Sequence, residues 1–178
     1  MKKITLDTNV LPGRDVLECA SRAGMDVAVV TVTEREVEGT PFVVHLRSLQ
    51  AINETGVYGE ARYGSAVYAS QAPARSLDEI LRIVSNGSFP SSRANLSDGQ
   101  RRQLRDALIL EAHVRDSRDV FVTNDERAFI RDGRRQELEA RFNTRILTRA
   151  EFVEACKNGT SRAAVSKWSR RARPSVRS

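Results

Sequence analysis

Apolar and polar positions alternate between two periods along this chain, and the switches mark its elements. Lys3-Ile4-Thr5-Leu6 is a short β-type run that ends abruptly in Asp7-Thr8-Asn9. Pro12-Gly13 then breaks the chain, and a helix is predicted from about Arg14 to Ala23. Met25 to Val32 is apolar and β-branched, the pattern of a strand buried on both faces. Thr33 has the position of a helix N-cap, with Glu36 three residues on as its capping-box partner. Thr40-Pro41 is expected to open another helix, with Phe42, Leu46, Leu49 and Ile52 on one face and Gly56 at its end. Residues 56–100 are the least regular, with five glycines and a short helix expected from Leu77 to Val84. A long helix is predicted from about Ser97 to Arg115, a strand at Asp119–Thr123, and the start of a helix at Glu126–Ile130. A last strand at Thr144–Leu147 and a helix at Glu151–Cys156 close the pattern. Strands rich in Val and Ile that alternate with helices imply an α/β fold with a parallel sheet covered on both faces.

At 178 residues, 40% of them hydrophobic, the chain is long enough to bury its own core. Cys19 and Cys156 are far apart in sequence and form no C-x-x-C pair, so a zinc ribbon, a redox motif or a disulfide scaffold is not expected. Two histidines, His45 and His113, are too few for most zinc or His-triad chemistry. Asp7 and Asn9 interrupt any signal-peptide core behind Met1-Lys2-Lys3, and no run approaches the ~20 apolar residues of a membrane span. A cytoplasmic protein without membrane contact is the expectation.

The net charge of +6 is uneven. Residues 157–178 hold seven basic residues and no acid, which leaves residues 1–156 with 22 basic against 23 acidic. The organisation expected is a domain over 1–156, with an irregular insertion at about 56–100, and a flexible basic tail over 157–178. A basic tail on a near-neutral body suits a polyanionic partner, most often nucleic acid; a disordered solubilising tail is the plainer alternative.

The informative acids are those at strand ends. Asp7 follows the first strand, Glu36 lies just after the second, and Asp125 follows Val122-Thr123-Asn124. In an open parallel sheet these positions share the carboxyl edge, where such folds place their sites. Asp106 stands on the long helix at the head of a stripe formed by Ile109, Leu110 and His113. Each acid has a local explanation as a cap, a turn residue or an arginine partner. Together they form a set that mutual repulsion disfavours unless a divalent ion joins it. Mg²⁺ and Mn²⁺ take such hard oxygen ligands and can activate water against a phosphodiester. Asp7 and Asp125 would be direct ligands, and Glu36 and Asp106 ligands or holders of bound water. Asn9 and Thr123 would orient them by hydrogen bonds.

At these residues the chain resembles the PIN domain, a family of small metal-dependent ribonucleases. The D-T-N opening is matched by Ile4-Thr5-Leu6-Asp7-Thr8-Asn9-Val10-Leu11, and the second element by Thr33-Glu34-Arg35-Glu36-Val37. The third matches at Asp106-Ala107-Leu108-Ile109, the fourth at Val122-Thr123-Asn124-Asp125, and the ending at Ile146-Leu147-Thr148 to Glu151-Phe152. Glu38 is a rival for the second acid, but Glu36 keeps the better register after Thr33. The resemblance covers about residues 1–156. It implies a Rossmann-like fold and hydrolysis of RNA with Mg²⁺ or Mn²⁺ at Asp7, Glu36, Asp106 and Asp125. It also implies that the chain is the toxin of a toxin–antitoxin pair, often a homodimer with a protein inhibitor, or an RNA-processing enzyme. The long 56–100 segment and the basic tail depart from a minimal toxin. A PIN module without activity that binds RNA or a protein is the alternative; such members tend to lose an acid, and here all four are present.

Two added segments bear on RNA. Tyr58, Tyr63 and Tyr68 lie close to Arg62, and aromatics beside arginine can stack on unpaired bases. A Gly-rich loop packed down by its own tyrosines is the plainer account. Trp168, Arg170, Arg171 and Arg173 in the tail pair the only tryptophan with clustered cations suited to RNA phosphates. Other chemistries fit poorly. Neither G-x-G-x-x-G nor G-x-x-x-x-G-K-[ST] occurs, and no lysine stands between Lys3 and Lys157 to serve an aspartyl-phosphate enzyme.

Overall fold

Period-two alternation decides which residue of each central strand meets which layer of the molecule. The computed structural model describes residues 1–57, 64, 66–67 and 71–158. In chain order the elements are β1 (Lys3–Leu6), α1 (Arg14–Arg22), β2 (Asp26–Val30), α2 (Thr31–Glu36), α3 (Val43–Leu46), β3 (Gln50–Ile52), β4 (Glu54–Thr55) and β5 (Ala66–Val67). They continue with α4 (Gln71–Val84), α5 (Asp98–Arg115), β6 (Val120–Val122), α6 (Arg134–Phe142), β7 (Arg145–Leu147) and α7 (Arg149–Asn158). Five strands make one parallel sheet in the order β3-β2-β1-β6-β7, and β4 and β5 pair in parallel as a small second sheet. The expected parallel α/β architecture is present, and it is consistent with a Rossmann-like fold.

Odd and even residues go to opposite faces. Ile4, Leu6, Val29, Val120, Val122 and Leu147 pack with Val16 and Ala20 of α1 and Phe152 of α7. Ala28, Val30, Phe121 and Ile146 pack on the other face with α4, α5 and Leu138 of α6. Thr5, between Ile4 and Leu6, therefore turns to the α5 side, where its Oγ1 lies 2.9 Å from His113 Nδ1. His113 Nε2 is 2.6 Å from Thr144 Oγ1, so this histidine is a satisfied core residue that ties α5 to the sheet.

Strong local signals give the expected elements. Ser97 caps α5 with a complete capping box, its Oγ accepting from Gln100 N at 3.3 Å while Gln100 Oε1 accepts from Ser97 N at 2.9 Å. Gly13 precedes α1 at φ +45°, and a Cβ there would meet Val10 O at 3.0 Å, so only glycine fits without strain.

Long-range pairing overrides local pattern elsewhere. The helix expected from Thr40 to Gly56 shrinks to one turn, α3, because Gln50–Ile52 instead pair with Ala28–Val30 and extend the sheet. The capping box at Thr33 and Glu36 is also corrected. α2 starts at Thr31, directly after β2, and Glu36 ends it while Thr33 lies buried inside. α4 begins at Gln71 rather than Leu77, and Glu126–Ile130 form a single π turn rather than the start of α6. Tyr58, Tyr63, Tyr68, Arg62, Trp168, Arg170, Arg171 and Arg173 lie outside the described residues.

One buried cation holds the amino edge of the sheet. Arg118, 2% exposed, donates to Ile4 O through Nη2 at 2.8 Å and to Asp26 Oδ2 at 2.9 Å, and its Nη1 donates to Asp116 Oδ2 at 3.0 Å. Nothing local in the sequence signals this clamp, because its partners lie up to 114 residues away. Its removal takes a donor from the buried Ile4 carbonyl and from the partly exposed carboxylates of Asp26 and Asp116. Arg118→Met is expected to lower unfolding stability by about 3 kcal/mol, read as an earlier urea midpoint with unchanged slope.

Candidate functional site

The carboxyl edge of the sheet gathers the four acids singled out by sequence. Asp7 directly follows β1 and is 3% exposed. Its Oδ1 accepts from Thr8 N at 2.8 Å, and its Oδ2 accepts from Asn9 Nδ2 at 2.8 Å and Thr123 Oγ1 at 2.6 Å. Thr123 in turn accepts from Asp125 N at 2.9 Å, and Asn9 Oδ1 accepts from Asn124 N at 2.7 Å. Asn9 and Thr123 thus stand where orienting residues were expected. Asp125 also caps the π turn, its Oδ1 accepting from Ala128 N at 2.7 Å.

Asp106 reaches the same place through helix register. His113 pins α5 beside Thr5, and Asp106 lies seven residues earlier, about 10 Å back along the helix. Asp7 lies two residues beyond Thr5, about 7 Å along the strand direction. The amino-terminal half of α5 therefore overhangs the end of β1. Among the described residues no salt bridge joins Asp106 to an arginine, the local partner allowed for from sequence; Arg102 acts on it through its charge.

Glu36 ends α2 and is solvent-exposed, and its Oε2 accepts a short hydrogen bond from Thr8 Oγ1. Thr8 Oγ1 also lies 3.3 Å from Thr33 Oγ1. Thr8 and Asn124 are the two participants to which sequence reasoning gave no role. Thr8 stood in the D-T-N motif unremarked, and Asn124 had no signal beyond its place beside Asp125. Asn124 Oδ1 accepts from Arg149 N at 3.2 Å, which joins the start of α7 to the site. Glu38, the rival to Glu36, lines a neighbouring groove of about 300 Å³ with Glu34, Arg35 and Arg47.

The electrostatics show how close the acids are. Burial raises Asp7 to about 6, helped by the charges of Glu36 and Asp125 and opposed by the hydrogen bonds from Thr123 and Thr8. Burial raises Asp106 to about 8, and Asp7, Asp125 and Glu36 all push it the same way, while Arg102 opposes them. Among the described residues, no three His, Cys, Asp or Glu side chains are preassembled to enclose a metal ion. The donor chemistry nevertheless suits a hard divalent cation: four carboxylates share one edge, and burial, reinforced by their neighbours' charges, favours the protonated form of Asp7 and Asp106. A cation drawn into the set would displace those protons.

Both shifts run upward from an ordinary carboxylate value of 3.8, so the folded state keeps protons that the unfolded chain releases. Stability in EDTA is therefore expected to fall as pH rises from about 4 through about 8, and then to level off. Asp106→Asn should melt higher than wild type at pH 8 and equally at pH 4. A wild-type melting temperature independent of pH across this window would contradict the assignment.

The chain matches no model of a known protein family and no curated protein. What it does must be inferred from these carboxylates and their surroundings.

Proposed function

We propose that this protein is a metal-dependent ribonuclease of the PIN type, which hydrolyses RNA phosphodiester bonds at Asp7, Glu36, Asp106 and Asp125. The observation that carries this reading is the raised protonation of Asp7 and Asp106 within a four-acid set at the carboxyl edge of a parallel sheet. The four motifs shared with PIN domains, in the same order along residues 1–156, support it.

Asp7, Asp106, Asp125 and Glu36 would hold Mg²⁺ or Mn²⁺. When bound, such an ion lowers the pKa of a coordinated water and offsets charge on a phosphoryl group. The chain's own residues prepare the place. Asn9 and Thr123 fix the Asp7 carboxylate through its Oδ2, so its orientation is set before any substrate arrives. Thr8 holds Glu36 to the same loop. Burial and the neighbouring acids favour a protonated Asp106 at neutral pH, and its carboxylate would join the other three in holding the ion. Arg102, one turn before Asp106 on α5, is exposed and sits where a polyanion would approach. The basic residues of 157–178, including Arg170, Arg171 and Arg173 beside Trp168, add RNA affinity that weakens as salt rises.

No helix among the described residues is long and apolar enough to cross a membrane. A toxin role is a narrower form of the same proposal and would require a partner protein that covers the acid edge.

The test is cleavage of end-labelled structured and single-stranded RNAs with Mg²⁺, Mn²⁺ or EDTA. Cleavage is expected with either ion and not with EDTA. Asp7→Asn and Asp125→Asn should each lose at least about 100-fold, and Thr123→Val between about 10- and 100-fold through a misdirected Asp7. Undiminished cleavage by Asp7→Asn would overturn the mechanism. Salt-sensitive RNA binding without cleavage by wild type would favour the inactive, RNA-binding alternative.

A further inference from the structure

The seam between α1 and α7 carries chemistry that the acid edge does not use. The two helices pack side by side over the sheet face formed by Ile4, Leu6, Val120 and Val122. Arg149, at the start of α7, donates from Nε to both oxygens of Asp15, at the start of α1, at 2.9 and 3.0 Å. From that anchor both helices continue together. Cys19 lies four residues past Asp15, about 6 Å along α1, and Cys156 lies seven past Arg149, about 10 Å along α7. The length of the arginine side chain takes up the difference, so the two cysteines face each other at one level of the seam. There both thiols are half-buried against the same apolar cluster as Leu17 and Val153, and Cys19 is the neighbour that, after burial, raises the Cys156 thiol. Sequence spacing gave no hint of this, since 137 positions separate them.

We propose that Cys19 and Cys156 are a modification site, which a low-molecular-weight disulfide oxidises to an intramolecular disulfide joining α1 to α7. Cys19 gives its proton to solvent and attacks one sulfur of the small disulfide, whose other half leaves as a thiolate. Cys156 then gives up its proton and attacks the Cys19 sulfur, and the second half leaves. One protein disulfide forms, one small disulfide is reduced to two thiols, and the two protons end on the departing thiolates. Burial and the neighbouring Cys19 push the Cys156 thiol up to about 11, which places it second in this order.

The crosslink would bear on both ends of α7. Arg149 N donates to Asn124 at the acid edge, and Lys157, where the basic stretch begins, directly follows Cys156. Oxidation therefore fixes the root of that stretch relative to the site.

The test treats the full-length native chain with glutathione disulfide, then alkylates it and measures intact mass and a peptide map. The expected result is a mass lower by two hydrogens, with no glutathione added and no alkylation, peptides around Cys19 and Cys156 linked, and full reversal by dithiothreitol. Cys19→Ser and Cys156→Ser should each abolish the loss of two hydrogens. Glutathione retained on the wild type, both cysteines still open to alkylation, or disulfide-linked dimers would each overturn the proposal. None of these readouts involves RNA or a metal, so the outcome stands apart from the nuclease reading.

Discussion

A carboxylate buried at the end of the central strand sets the terms for everything around it. Asp7 is held by the backbone of Thr8 and the side chains of Asn9 and Thr123, and Asn9 and Thr123 in turn hold the backbone of Asn124 and Asp125. Asn124 receives the first amide of α7. The loops that follow β1, β6 and β7 are thereby sewn together through one side chain. Such a group is costly to bury without donors, and the three it has satisfy it without neutralising it. The remaining cost appears as the proton that Asp7 keeps to about 6.

The charge balance of the described residues sharpens this. Many arginines are already matched to acids: Arg35 with Glu54, Arg115 with Glu111, Arg135 with Glu151, Arg141 with Glu79 and Arg149 with Asp15. Cations are thus spent along the helices and at the amino edge, where Arg118 is enclosed. At the carboxyl edge the acids stand closer to one another's charges, and Arg102 is a cation that opposes them at Asp106. A parallel sheet with a guanidinium closing one end and carboxylates gathered at the other separates structural from chemical duty by position.

How much of this was legible follows the range of each interaction. β1, β6 and α5 were readable because their signals are local, an apolar run or a Ser97–Gln100 box. Asp7, Glu36 and Asp125 were readable because strand ends in a parallel sheet face one way, and Asp106 because it heads the apolar stripe of α5. β3 was not readable, because its three residues become a strand only through β2. The T-x-x-E pattern at Thr33 misled for a related reason: α2 begins at Thr31, directly after β2, so Thr33 is buried inside the helix instead of capping it. Arg118, His113 and the Cys19–Cys156 contact were equally hidden, since each depends on partners far away in sequence.

The position of β1 at the centre of the sheet also has a consequence for how the protein comes into being. Its neighbour β6 begins more than a hundred residues later, and Thr123, which steadies Asp7, follows it by 116. A chain emerging from the ribosome amino end first carries Asp7 exposed and unassembled until β6 and β7 have also been made. The acid edge is thus among the last parts of the body to be completed. If the acid edge cuts RNA as proposed, that delay would keep the nascent chain harmless to the RNA-built machine that is still synthesising it.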